Sequence, residues 1–344
     1  MNQNELEQWI LDLPKVELHL HIEGTLEPEL MFDLAKRNGL SLPFATSEEL
    51  KQAYNFQDLQ SFLNIYYEGS RVLRQERDFF DLTWAYLTRV VKEHVRHVEI
   101  FFDPQAHMNR GVDLHTVISG IHAALEQART ELQVSSKLIP CFLRDLPPDS
   151  ARQTLERILD YRDWISAVGL DSSEKGRPPE LFQDVFDRAR TEGLLTVAHA
   201  GEEGPPEYIW QALERLKVVR IDHGIRCIED ESLVQHLVHT QIPLTVCPLS
   251  NVKLKVFPSL GHHNLKVLLQ RGLCVSIHSD DPAYFGGYIT DNYLAAQRAL
   301  NLQPTDILQL AKNGVKASFL SDTEKEKLIG EIQDHATRLK QWQF

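Results

Sequence analysis

The sequence predicts a (β/α)8 TIM barrel with extra helices between strands 1 and 2 over the barrel mouth. Three observations carry that prediction. Eight short runs have strand character, segments of helical pattern or long connections lie between them, and polar residues able to bind metals or move protons gather at the C-terminal ends of several runs. At 344 residues the chain has the size of an undivided barrel. No repeat, low-complexity tract or Pro/Gly linker splits it, so one domain over residues 1–344 is expected.

The first run, VELHLHI (16–22), alternates Val16, Leu18, Leu20 and Ile22 with Glu17, His19 and His21, and Glu23 continues the polar series. Side chains two apart on a strand share a face, so His19 and His21 point the same way. Taken alone, the run fits either a half-buried strand with a solvated polar face or a site. From about residue 26 to 96 the chain is too long for one crossover, which places extra helices over the mouth. The clearest helical pattern there covers 69–94, where Val72, Phe79, Phe80, Trp84, Leu87 and Val91 follow helical spacing. HVEIFF (97–102), SKLIPCFL (136–143), AVGLDS (167–172) and LLTVAHA (194–200) supply the next four strands, with a helix expected at 179–192. VVRIDHGI (218–225), IPLTVCP (242–248) and LCVSIHSD (273–280) complete the set, with a helix expected at 230–239.

The bulk composition excludes several function classes. The chain carries 36 Lys and Arg against 49 Asp and Glu, a formal charge of −13, and no basic cluster dense enough for a phosphate backbone. That argues against nucleic acid and for a small neutral partner. Cys141, Cys227, Cys247 and Cys274 form no C-x-x-C pair, and three of them fall within strand-like runs, as expected for buried thiols in a reducing compartment. The first twenty residues lack a signal-peptide pattern, and no apolar run reaches membrane-spanning length. A soluble, cytoplasmic protein that binds no membrane is the expectation.

Chemistry in such a barrel sits at the C-terminal strand ends. Strand 1 brings His19 and His21 there, strand 5 His199 and Glu202, strand 6 Asp222 and His223, and strand 8 Asp280 and Asp281. Buried charges are expensive unless they are paired or bound to metal, and this set of N and O donors suits Zn²⁺ or a similar divalent ion. His278 has the parity of Asp280 but lies deeper, as an interior hydrogen-bonding residue. His262 and His263 fall in a loop and read as solvated, and His107 reads as a structural or rim residue. The remaining histidines, His97 among them, lie on or beside helical stretches and suggest no site. HIE also matches half of the cytidine-deaminase zinc signature, but Cys141 is followed by Phe142, Leu143 and Arg144, so the other half is missing.

Taken in order, HLHIEGT, HAGE, DHGI, CPLSN and SDDP resemble the adenosine/adenine deaminase family of metal-dependent hydrolases, over about residues 13 to 293. The resemblance implies that His19, His21, His199 and Asp280 hold one catalytic zinc per chain. It further implies that Glu202 is the proton donor, His223 handles the attacking hydroxide, and Asp281 contacts the substrate. A zinc ion makes hydroxide available near neutral pH, and attack at C6 of a purine is eased when ring N1 is protonated. Leu59, Phe62, Leu63 and Tyr66 form an apolar stripe at helical spacing. As a pattern this is ordinary packing; by resemblance it is the family's apolar gate over the purine.

Three departures point within the family to its adenine branch. Glu23 stands where the nucleoside branch has a shorter Asp that meets the sugar. LDSSEKG replaces an Ala-Gly-Asp-Glu turn with Ser172, Ser173 and Glu174, which makes Ser173 the candidate contact to the purine's far edge. SDDPAYFGGY resembles the adenine branch. The expected reaction converts adenine to hypoxanthine and ammonia in purine salvage, with a purine base as the only partner called for. Rival readings are a deaminase of N6-substituted adenines or of adenosine, and a metal-binding protein of the same fold without activity.

Overall fold

A computed structural model describes residues 2–341. Its strands are β1 (Lys15–His21), β2 (Val95–Phe102), β3 (Ser135–Leu143), β4 (Ala167–Asp171), β5 (Leu195–Ala200), β6 (Arg220–His223), β7 (Leu244–Val246) and β8 (Val275–Ile277). All fall within a few residues of the expected runs, and they pair in parallel in the order β1 to β8. The ring closes where the His21 N–H donates to the Asp280 carbonyl (3.1 Å) and the Asp280 N–H to the His19 carbonyl (3.0 Å). The backbone that seals the barrel therefore also sets His19, His21 and Asp280 side by side.

Alternation along the strands separates two environments. Leu18, Leu20, Val98, Ile100, Ile221 and Ile277 pack outward in the main core with the helices. The barrel interior holds only a small apolar cluster of Phe101, Ile139, Cys141, Ala167 and Val197. Every residue of β1 is buried, so its polar face looks into the barrel and not into solvent. Below the strand ends, several interior polar groups pair with one another, as burial favours. The Arg220 guanidinium meets Glu99 at 2.5 Å and donates to the Leu18 carbonyl at 3.2 Å. His97, a β2 residue and not a helical one, lies 3.2 Å from Glu99. His278 accepts from the Leu18 N–H (3.1 Å) and contacts the Ser276 hydroxyl (2.8 Å), an interior hydrogen-bonding residue as expected.

The chain begins with α1 (Gln3–Asp12), and the long β1–β2 connection holds α2 (Pro28–Arg37), α3 (Ser47–Ala53), α4 (Leu59–Ser70) and α5 (Glu76–Val90). The helix expected over 69–94 is instead two helices. The Asp78 carboxylate accepts from the backbone N–H groups of Arg74 and Gln75 (both 2.9 Å) and starts a new helix there, leaving Val72 buried in the turn. At 179–192 a short 3-10 turn after Pro178 precedes the helix Gln183–Thr191, and the helix Glu231–Thr240 starts at an Asp230 cap. All four cysteines are buried and free. No helix among the described residues is long and apolar enough to cross a membrane.

Candidate active site

At the C-terminal end of β1 the His19 and His21 rings turn toward His199 from β5, with both Nε2 atoms 3.1 Å from the His199 Nε2. The Asp280 Oδ1 lies 3.3 Å from the His19 Nε2 and 3.5 Å from the His21 Nε2. One donor atom from each of the four residues falls within 4.8 Å of the others. The His19 tautomer follows from its partner: Nδ1 must donate to the Thr245 carbonyl at 3.1 Å, which leaves the Nε2 lone pair facing its neighbours. Burial pushes His21 down to about 4, and burial with three neighbouring histidines holds His199 well below the imidazole range. Burial opposes ionisation of Asp280, but His19, His223 and His21 outweigh it and hold its carboxyl well below the usual range. Three imidazole nitrogens and a carboxylate oxygen converging on one point, with no other cation among them, are a donor set that fits a divalent metal.

Behind the rings, the Asp222 carboxylate accepts from the Thr245 hydroxyl at 2.8 Å and faces the His199 Nδ1 at 3.7 Å. That nitrogen and the Asp222 Oδ2 have no other partner, so the pair is arranged to orient the ring. His223 and Asp280 have φ of +64° and +65°, a strained left-handed backbone that non-glycine residues adopt where a site requires it.

Glu202 sits beside this cluster, 3% exposed, with Oε2 at 3.5 Å from the His223 Nε2. Burial, reinforced by Asp280, Glu174 and Glu203, raises its carboxyl well above the usual range, which favours the protonated form. The Asn251 amide N donates to both the Glu202 Oε1 (3.4 Å) and the His223 Nδ1 (3.3 Å), while its oxygen faces the His263 Nε2 at 3.2 Å. With Nδ1 accepting, His223 carries its proton on Nε2, aimed at the site. His263 is thus no solvated loop residue: it is 4% exposed and packs on Phe257 while it anchors Asn251.

Glu174 has a role that the sequence reading missed. Its carboxylate accepts four backbone N–H groups, from Gly201 (2.9 Å), Glu202 (3.0 Å), Glu203 (2.8 Å) and Gly204 (2.5 Å). Arg144 lies 3.6 Å from it and donates to the His199 carbonyl at 2.7 Å. This cradle sets the height of the Glu202 loop. Glu174→Gln, which keeps the shape but replaces an acceptor by an N–H₂ group, should lower kcat at least about 10-fold through misplacement of Glu202 and destabilise the fold by about 2–4 kcal/mol. Steady-state kinetics and thermal melts check this; a variant matching wild type in both measurements removes the role.

The remaining cavity wall combines acids with a lid. Asp281 faces inward with a buried Oδ1 that has no partner. Gly24 makes its position possible, since a Cβ there would come 2.0 Å from that oxygen. Leu59, Phe62, Leu63, Tyr66 and Tyr67 of α4 cover the mouth. Asp103, at the end of β2, and Asp171, ending β4, complete the wall.

Two expected substrate contacts fall elsewhere. Glu23 does not line the cavity: it is 1% exposed, and its Oε1 takes the His107 Nε2 (2.6 Å) and the Asp103 N–H (3.1 Å). The short 3-10 turn Glu23–Thr25 directs its carboxylate behind the wall, where His107 is its structural partner and the Tyr66 hydroxyl reaches its Oε2 at 3.4 Å. Ser173 also lies off the wall, because Ser172 has φ +71° and turns the chain so that Ser172 itself faces the cavity.

The family model described as adenosine deaminase matches residues 14–335. The chain belongs to that family. Among relatives of this deaminase-family chain, a protein named adenine deaminase from Crocosphaera subtropica is 60% identical over 93% of this chain and 98% of its own. One of the same name from Hahella chejuensis is 56% identical over 96% and 99%. The crystal structure of an adenine deaminase from Arthrobacter aurescens superposes with a TM-score of 0.93 at 50% identity, covering 94% of this chain and 99% of that one.

Proposed function

We propose that this deaminase-family protein is a zinc-dependent adenine deaminase, with one ion per chain, that hydrolyses adenine to hypoxanthine and ammonia for purine salvage. The observation that carries the reading is a buried Glu202, 3.5 Å from His223, beside four converging metal donors in a lidded cavity. Near-complete coverage by relatives of that name supports the substrate. All-N/O donors with three histidines favour zinc over magnesium or calcium. Four buried thiols without disulfides support a cytoplasmic setting, and one sheet running in order from β1 to β8 supports a single domain.

When bound, the ion supplies the Lewis acidity that makes a water nucleophilic near neutral pH. The side chains do the rest. Asp281 hydrogen-bonds the imidazole edge of the base and holds C6 over the donor cluster, while Leu59, Phe62 and Leu63 cover its face and exclude water. As oxygen attacks C6, the C6–N1 π pair moves onto N1, where Glu202 delivers its proton. His223, donating through Nε2, orients the incoming oxygen and stabilises its charge. The attacking water gives up both of its protons, one restoring Glu202 and the other reaching the exocyclic nitrogen; the C6–O bond becomes a carbonyl as the C6–N6 bond breaks, and ammonia leaves.

The test is Glu202→Gln, which preserves size and removes the acidic proton. Ammonia release from adenine should fall at least about 10²-fold in kcat with the ion still bound. Near-normal turnover would transfer the role to another acid, with Glu203 the next to replace. The pH dependence follows from the same group: the working form is protonated and burial raises its pKa. Wild-type kcat should therefore hold through neutral pH and fall only as pH rises through that elevated value.

A further inference from the structure

Asp103 and Asp171 are both 2% exposed and line the cavity, yet the mechanism above does not use them. Each has one oxygen committed within the protein. The Asp103 Oδ2 lies 3.5 Å from the Tyr66 hydroxyl, and the Asp171 Oδ2 lies 3.5 Å from the His21 Nδ1. Each also keeps a buried Oδ1 that no donor of the protein reaches, and the two carboxyls lie against each other. A proton shared between the two carboxyls meets only part of their acceptor capacity, so this wall still offers lone pairs to a ligand that brings a hydrogen-bond donor.

The position of the pair indicates which donor. With C6 at the donor cluster, N1 faces Glu202 after β5 and N7 faces Asp281 after β8. The opposite edge of the purine, N3 and N9, is then directed to the remaining polar wall at the ends of β2 and β4. Free adenine carries an N–H on that edge; a nucleoside carries a sugar at N9 and has no donor there. We infer that Asp103, seconded by Asp171, accepts the N9–H of the base and so selects purines unsubstituted at N9. This rests on the reading of the protein as an adenine deaminase and names the group that enforces it. Glu23 serves the same end at one remove, since its Oε1 accepts the Asp103 N–H and fixes that residue in place.

The experiment compares adenine with 9-methyladenine on the zinc-loaded enzyme and on two variants, with metal content measured for each. Asp103→Leu fills the same volume without acceptors and should lower kcat/KM for adenine at least about 10²-fold, mainly through KM, with the ion retained. The same change should alter 9-methyladenine, followed by turnover or by its inhibition constant, less than about 3-fold, because that ligand never made the bond. Asp103→Asn keeps the shape and one acceptor and should recover most of the loss; should the Leu variant not fold, Asp103→Ala, with a KM rise confined to adenine, carries the test. Equal losses for both ligands, or none for either, overturn the inference while adenine deamination by the wild type leaves the function standing. A metal-loaded wild type inert toward adenine overturns both.

Discussion

Adenine is expected to exceed adenosine in kcat/KM by at least about 10³. Two effects combine. The wall a ribose would have to cross is occupied by the Tyr66 ring, its hydroxyl near Glu23 and Asp103, and by the α4 lid whose Phe62 packs on Phe285. A sugar at N9 would deprive the Asp103 carboxylate of the N9–H donor, and behind the wall Glu23 is already committed to His107 and to the Asp103 N–H. Rejection through shape and through unpaired polar groups together reaches discrimination that shape alone does not. Glu23→Asp should therefore gain no adenosine activity, since shortening it loosens the His107 contact behind the wall without opening space in front. Initial rates with both substrates decide the matter. Comparable efficiencies would move the protein out of the adenine branch and leave its deaminase chemistry untouched.

His21→Ala and Asp280→Ala should each lose the ion and at least about 10³ in activity. Each removes one of the four donors that converge on one point, and with it much of the affinity that the full set would give the ion. Asp280 carries the additional burden of supplying the negative charge among three rings. Elemental analysis of purified protein, followed by chelation and restoration with zinc, separates loss of metal from loss of fold. Full turnover by a verified metal-free preparation would remove the metal from the mechanism altogether. Replacing Cys247, which stands in the neighbouring group with His19, His223 and Asp280 but outside the His19, His21, His199 and Asp280 set, should in contrast spare the ion.

How much of this could be read without coordinates depends on the range over which each residue acts. The period of a strand placed His19 and His21 on one face, and the rule that barrels work at their C-terminal strand ends grouped them with His199, Glu202, His223, Asp280 and Asp281. These features are local or topological, and sequence spacing encodes both. Helix boundaries in the β1–β2 insertion were less legible, because Asp78 caps a new helix in the middle of an apolar pattern that continues across the break.

The supporting contacts could be decided only by the tertiary structure. Glu174 reads as one more polar loop residue until the chain brings the 201–204 backbone around it. His263 reads as solvated until Asn251 and Phe257 close over it. Glu23 sits next to the candidate metal donors His19 and His21 in sequence, yet a single 3-10 turn sends its carboxylate behind the wall, and the left-handed backbone at Ser172 turns that serine, not Ser173, to the cavity. By itself the sequence determined the donor types, their shared end of the barrel and the chemistry they can perform. Which carboxylates face the substrate and which hold its walls was settled by long-range packing, because that choice turns on backbone turns and hydrogen bonds between residues far apart in the chain.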